Sequence, residues 1–383
     1  MKHPHVLVVG AGMYVGGRGT NGYGTVLPVL VQAQRDGLIG EIHIAATRPQ
    51  SGDEIHTKVL ALNHLFGHRT QFHTYPTDAE NDHAYLQALA AIPRPAVAIV
   101  VVPDHLHAPI TTDIIKAGLH ALVVKPFTPT VAEADALIDL LAQQQLYGAV
   151  EFHKRFDEAN LILRRTIQSG QLGELAYITV EYSQRRIVQD LFKSWLTHTN
   201  IFQYLGVHYV DLIHFVTGAK PLRVLALGQT TALAPNAIHT LIEWQAPAKS
   251  HRFFSSIVTN WIDSNSSSSM SDQKINVVGL LGRYQSDQKN RGVQIVTPTG
   301  IEDVNPYFTQ LYKDAVGEFT VQGYGPKSVF QFLEDVTLLL NHKISLTELN
   351  ATRPSFESAR LSTQVIEAAQ RSLTTNNQWS FID

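Results

Sequence analysis

Short apolar runs alternate with helix-length stretches through about residue 153. The runs are VLVV (6–9), IHIAA (42–46), AVAIVVV (96–102), HALVV (120–124) and YGAVEF (147–152). Continuous Val/Ile runs suit strands buried on both faces, which predicts a parallel sheet wrapped by helices. Between the last two runs, Thr130 and Glu133 form a T-x-x-E capping signature ahead of VAEADALIDLLAQQQ, a helix start. The pattern predicts a doubly wound α/β domain.

From Glu174 the period changes. ELAYITVEYSQ, LRVLALGQT, HTLIEWQA, RFFSSIVTNW and INVVGLLGR are longer alternating segments, which predict a large, mostly antiparallel open sheet in an α+β domain. The polar stretch DSNSSSSMSD reads as a hairpin loop rather than a linker. Helices are expected over residues 328–340 and 356–373, and no internal repeat is visible. The expected division is 1–126 and 127–383.

Composition fits about two ordinary domains: 383 residues, 44% apolar, 16% charged, net charge −3. It gives no electrostatic reason for a nucleic acid or an anionic membrane as partner. No apolar run approaches the roughly 20 residues of a membrane span, and the N-terminus lacks a signal-type segment, so a cytoplasmic location is the default expectation. The chain has no cysteine and 18 histidines. Redox chemistry therefore needs a bound cofactor. The histidines show no HExxH or comparable spacing, so no metal site is expected.

The first run leads into glycines at 10, 12, 16, 17, 19, 22 and 24. After the first strand of a βαβ unit, Gly10 and Gly12 allow a tight turn and close backbone approach to a pyrophosphate. Val15 stands where G-x-G-x-x-G has its third glycine, and Gly16 follows it. The plain alternative is a flexible surface loop.

Two later stretches bear on that choice. VVPDHLHAPITTDIIKAGLHALVVKPFT (101–128), followed by YGAVEFHKRFDEA, resembles the Gfo/Idh/MocA family of sugar and polyol oxidoreductases, with its P-x-x-x-H loop, its Lys-Pro after a strand and its aromatic-x-x-Arg-aromatic segment. YLGVHYVDLIHFVTG (204–218) resembles that family's second-domain helix, and RSLTTNNQW its C-terminal exit. The resemblance implies a Rossmann-type dinucleotide-binding domain, then a substrate-binding and oligomerisation domain. It implies hydride transfer between NAD or NADP and a secondary alcohol or carbonyl of a sugar, glycoside or polyol. It places Gly10, Gly12, Met13, Tyr14, Gly16, Thr47, Arg48, Pro103, His107, Lys125 and Pro126 at the cofactor, and His153, Arg155, Asn200 and Asp211 at the substrate. Lys125 and His208 are its catalytic pair, with Tyr204 as a third member.

Two departures matter. Val124 stands where the family usually has Glu before Lys-Pro, and Tyr204 where one branch has a catalytic Asp. A tyrosine can still donate a hydrogen bond or proton. Lys125, at the carboxyl end of a buried parallel strand, faces the crevice where such sheets bind ligands, or else is a snorkelling strand-end lysine. Tyr204, His208 and Asp211 share a face if their helix is regular. His208 is then a general acid/base, or else a core histidine satisfied by Asp211. Arg155 holds a substrate oxygen or makes a structural ion pair.

Thr47 and Arg48 occupy the place where an NAD enzyme usually carries an acid on the ribose, so NADP is slightly favoured over NAD. Alternating apolar positions such as Leu225 and Leu227, then Leu241 and Trp244, predict a sheet-mediated homodimer or homotetramer. Two other functions fit the same residues: a glycoside hydrolase using transient oxidation by NAD, and a non-catalytic dinucleotide-binding regulator.

Overall fold

The computed structural model describes residues 2–193, 195–229, 235–247 and 251–382. They divide into two compact units. The first holds Met1–Phe127, Ala132–His153 and Tyr307–Ala359, the second Thr128–Val131, Lys154–Pro306 and Arg360–Asp383. The expected break at 126/127 marks only the first of these passages.

In the first unit the elements run β1 (His5–Val9), α1 (Met13–Gly16), α2 (Val26–Arg35), β2 (Ile42–Ala45), α3 (Pro49–Phe66), β3 (Phe72–Tyr75), α4 (Ala84–Ala91), β4 (Ala96–Val100), α5 (His107–Lys116), β5 (His120–Val124), α6 (Val131–Gln143) and β6 (Gly148–Glu151). The strands form one parallel sheet in the order β3-β2-β1-β4-β5-β6, the doubly wound arrangement expected. All residues of β4 are buried, as are all but the first of β1, which is why these strands read as unbroken Val/Ile runs. The strand absent from the sequence reading is β3. Its FHTY lies at the sheet edge and is only partly buried, so no apolar run marks it. The helix α6 begins directly after Thr130.

The second unit adds α7 (Glu158–Gln168), β7 (Leu175–Arg185), α8 (Ile187–Leu191), α9 (Val207–Thr217), β8 (Lys220–Gln229), β9 (Ala237–Gln245), β10 (Arg252–Asp263), β11 (Ser271–Gly279), β12 (Arg283–Asp287) and the hairpin β13 (Val293–Thr297) with β14 (Gly300–Val304). After a small pair, β15 (Gln310–Lys313) and β16 (Phe319–Gln322), the chain forms α10 (Tyr324–Leu340), α11 (Leu346–Thr352), α12 (Phe356–Thr374) and β17 (Ser380–Phe381).

The large sheet is ordered β12-β11-β7-β10-β9-β8-β17. Only β7 with β10 is parallel; the other pairs are antiparallel. DSNSSSSMSD is therefore not a hairpin loop. It links β10 to β11 across β7, which lies between them, and residues 183–185 of β7 meet it in register. One sheet face carries Ile178, Val180, Ile242, Trp244, Ile257 and Trp261 into a core shared with Val210, Leu212 and Ile213 of α9. Trp244 thus belongs to the core, and Leu241 to the other face, because three positions along a strand change the face. That other face leaves Tyr177, Leu227, Phe254 and Ile262 exposed.

Candidate functional site

The first unit gathers its chemistry at the carboxyl ends of its strands. Gly10 follows β1 with φ +114°, and a Cβ there would lie 1.9 Å from the carbonyl oxygen of Val101. Only glycine lets these two chain segments meet so closely. A Cβ on Gly12 would meet nothing within 4 Å. That open space beside the backbone is what a dinucleotide's pyrophosphate requires. Gly16 differs, since its Cβ would sit 2.6 Å from Cδ1 of Ile55. This glycine thus sits where α1 packs against α3. The loop after α1 is pinned: Lys58 Nζ donates to Gly22 O at 2.6 Å and Thr25 N to Tyr14 O at 2.8 Å.

Met13 and Tyr14 form the single turn of α1. The Tyr14 ring stacks on His153 at 6.4 Å. Its hydroxyl is buried, and burial, then the Glu151 carboxylate beside it, push the phenol well above its ordinary value.

At the end of β2, Thr47 and Arg48 are exposed. Arg48 precedes α3, and its Nε lies 2.9 Å from Glu80 Oε1. Pro103 opens a turn that buries Asp104. His107 is fully buried, with ring nitrogens 2.7 Å from Pro126 O and 3.0 Å from Val102 O. It braces the β4 and β5 ends against one another.

Lys125 and Pro126 follow β5 directly. Lys125 as a residue is half-buried, but its ammonium is desolvated, which lowers its pKa to about 8, against the opposing pull of Asp104 and Glu151.

Glu151 was missed by the sequence reading, although it stands within the run YGAVEF and ends β6. It is 2% exposed, accepts from the Ser328 hydroxyl and lies 3.1 Å from His153 Nδ1. His153 in turn packs on Tyr324 and Phe308. Glu151 is the register partner of Val124. Its charge also acts on the Lys125 ammonium that follows Val124. A charged residue ending an otherwise apolar buried strand was the available signal.

The second unit carries the remaining predicted residues. Arg155 grips Asp211 through two hydrogen bonds, Nε to Oδ2 at 2.9 Å and Nη2 to Oδ1 at 2.5 Å, both groups buried. Of the two readings of Arg155, the structural ion pair is the one formed, and Asp211 is paired to it. Lys154 is 1% exposed. It donates to Gln273 and Gln288 and lies over the rings of Tyr209 at 4.8 Å and Tyr182 at 5.4 Å. Asn200 Oδ1 accepts from Gln203 N at 2.9 Å and its Nδ2 donates to Gln370 at 3.0 Å, a cap on the following turn.

That turn, Phe202–Gly206, is π-helical. Tyr204 lies in this turn, whereas His208 and Asp211 lie in the regular helix α9 that follows. Tyr204 packs edge-on to Phe192 at 5.0 Å and near Trp261. His208 is buried with its ring 6.3 Å from Tyr182, whose phenol is raised to about 12 by burial.

Two family models match the chain: the oxidoreductase family, NAD-binding Rossmann fold, over residues 37–152, and the GFO/IDH/MocA C-terminal domain over 161–285. An uncharacterized oxidoreductase of Escherichia coli is 36% identical over 31% of this chain and 35% of its own. The scyllo-inositol 2-dehydrogenase (NADP(+)) of Bacillus subtilis is 28% identical over 35% of this chain and 38% of its own. The chain thus spans little more than a third of these curated relatives' length. An inositol dehydrogenase homolog from Azotobacter vinelandii, solved with NADH and myo-inositol, shares the fold with TM-score 0.73 at 16% identity, over 99% of this chain and 98% of its own.

Proposed function

The chain belongs to the Gfo/Idh/MocA oxidoreductase family, and from that premise we propose that it moves a hydride between NAD(P) and a secondary alcohol or carbonyl carbon of a sugar, glycoside or polyol. The observation that carries the reading is Lys125. An ammonium at the carboxyl end of a parallel strand, with a pKa of about 8 and two carboxylates acting on it, is poised to donate to an oxygen that gains negative charge. Glu151 and Asp104 keep it protonated near neutrality. His208 exchanges the substrate hydroxyl proton, and Tyr204, a neutral donor, is the third member.

When bound, the dinucleotide supplies the hydride acceptor or donor. The backbone at Gly10 and Gly12, with its open approach, holds the pyrophosphate. Arg48, exposed just after β2, supports NADP at least as strongly as NAD. Glu80 beside it is the acid available to ribose hydroxyls. The exposed sheet face bearing Leu227, Phe254 and Ile262 supports assembly as a homodimer or homotetramer. A cytoplasmic location is part of the same reading.

The test is a panel of sugars and polyols with each cofactor, read by absorbance of the reduced nicotinamide. Lys125→Met and His208→Ala should each lower turnover by roughly 10²-fold or more, with cofactor affinity held within about threefold. Near-normal turnover with a lowered melting temperature would make these residues structural.

A further inference from the structure

Away from the strand ends that carry this chemistry, three side chains converge beside the amino ends of β2 and β3. Glu41 and His43 are two positions apart and share a face of the strand. His43 and His73 are register partners on adjacent parallel strands. Glu41 Oε2 lies 3.6 Å from Nε2 of His43 and 3.6 Å from Nε2 of His73, and all three atoms fall within 4.8 Å of one another.

We propose that Glu41, His43 and His73 bind a divalent late first-row transition ion, zinc foremost, as a clasp between edge strand β3 and strand β2. With both Glu–His separations 3.6 Å and the His–His separation at most 4.8 Å, a point equidistant from the three donor atoms lies within about 2.4 Å of each, against roughly 2.0–2.2 Å for nitrogen and carboxylate ligands of zinc. Two imidazoles and one carboxylate select zinc, cobalt, nickel or copper over magnesium and calcium, which favour all-oxygen sites. Three protein ligands leave a fourth position for water.

Two further features point to a ligand. His43 is 3% exposed, and its Nε2 is buried with no partner at hydrogen-bond distance among the described residues, Glu41 Oε2 standing 3.6 Å off, an arrangement that is unfavourable unless something fills the place between them. Its other ring nitrogen, Nδ1, lies 3.2 Å from the Tyr75 hydroxyl. A proton on Nδ1, donated to Tyr75, turns the Nε2 lone pair toward Glu41 and His73, as second partners do at metal-bound histidines. His5 Nδ1 accepts from Glu41 N at 3.0 Å and fixes the backbone that carries the carboxylate. His73 and Glu41 are 55% and 35% exposed, so an ion has a path in from solvent.

The expectation of no metal site rested on local spacing. Here only strand register joins Glu41 and His43 to a histidine thirty residues on, in a strand that the apolar pattern did not reveal.

The experiment uses the full chain without an affinity tag, stripped with a chelator, and titrated with Zn²⁺ and with Co²⁺. The wild type should bind one more ion per chain than His73→Ala and, with Co²⁺, show the strong visible absorption of a tetrahedral site, absent from His73→Ala. Glu41→Gln should weaken that site at least tenfold, and Tyr75→Phe by about tenfold or more. His64→Ala, an exposed histidine elsewhere, should leave it unchanged. Zn²⁺ should raise the melting temperature of the wild type and not that of His73→Ala. Since His73 is exposed, its loss leaves the fold intact. Equal stoichiometry in wild type and His73→Ala, or no binding tighter than about 100 μM in the wild type, overturns the proposal.

Discussion

At residues 151–155 the chain reads Glu-Phe-His-Lys-Arg, and its charges part company within two residues. Glu151 and His153 belong to the first unit; Lys154 and Arg155 belong to the second. In the second unit the charges are closed off. Arg155 is matched atom for atom by Asp211, and Lys154 is covered by two amides and two aromatic faces. In the first unit the groups near Glu151 are perturbed: the Lys125 ammonium carries a lowered pKa and the Tyr14 phenol a raised one. Saturated clusters specify packing, whereas perturbed ones mark where proton chemistry is possible.

Three measurements can break this contrast. The largest effect belongs to the closed cluster. Asp211→Ala strips a buried guanidinium of its carboxylate and should cost about 3–5 kcal/mol of stability in denaturant unfolding. A loss below about 1 kcal/mol would mean that the pair is not the anchor described.

A smaller effect follows from Lys125. Its pKa in the folded chain, about 8, lies below the ordinary 10.5, so between those values the unfolded chain binds more protons. Stability should therefore rise with pH across that window in the wild type relative to Lys125→Met, while the cost of the buried charge is present in full below about pH 8. Unfolding curves for both proteins from pH 7 to 10 test the sign, and a constant difference would remove the perturbation from the first cluster.

The smallest concerns the exposed rim. Arg48→Ala should weaken NADP about three- to tenfold and leave NAD within about twofold, as titration of each dinucleotide would show. Equal loss for both would detach Arg48 from the choice of cofactor.

How legible all this was depended on whether neighbours in space were neighbours in sequence. The strands β1, β4 and β5 announced themselves because both faces of each are buried, and Lys125 could be placed because it ends one of them. β3 could not, since an edge strand with one poor face carries no apolar run. The order of the large sheet was equally hidden: nothing in DSNSSSSMSD says that β7 intervenes between its flanking strands. Glu151 escaped because its partnership with Val124 is a matter of register. The face expected for Tyr204, His208 and Asp211 assumed a regular helix, and the π turn at 202–206 is not encoded by any proline or glycine pattern that periodicity reads.

The return of residues 307–359 to the first unit bears on how the protein is made. Val329, Phe332, Leu333 and Val336 of α10 are buried in the same core as Val26, Leu30, Ile55 and Val59 of α2 and α3. While the chain emerges from the ribosome, the apolar flanks of those early helices stay wet for some three hundred residues, until the helix that shields them has been synthesised. The unit that begins first is thus completed only at residue 359, after residues 154–306 of the other unit have been made, and the nascent first half depends on its own partial collapse, or on a chaperone, to avoid sticking to its neighbours.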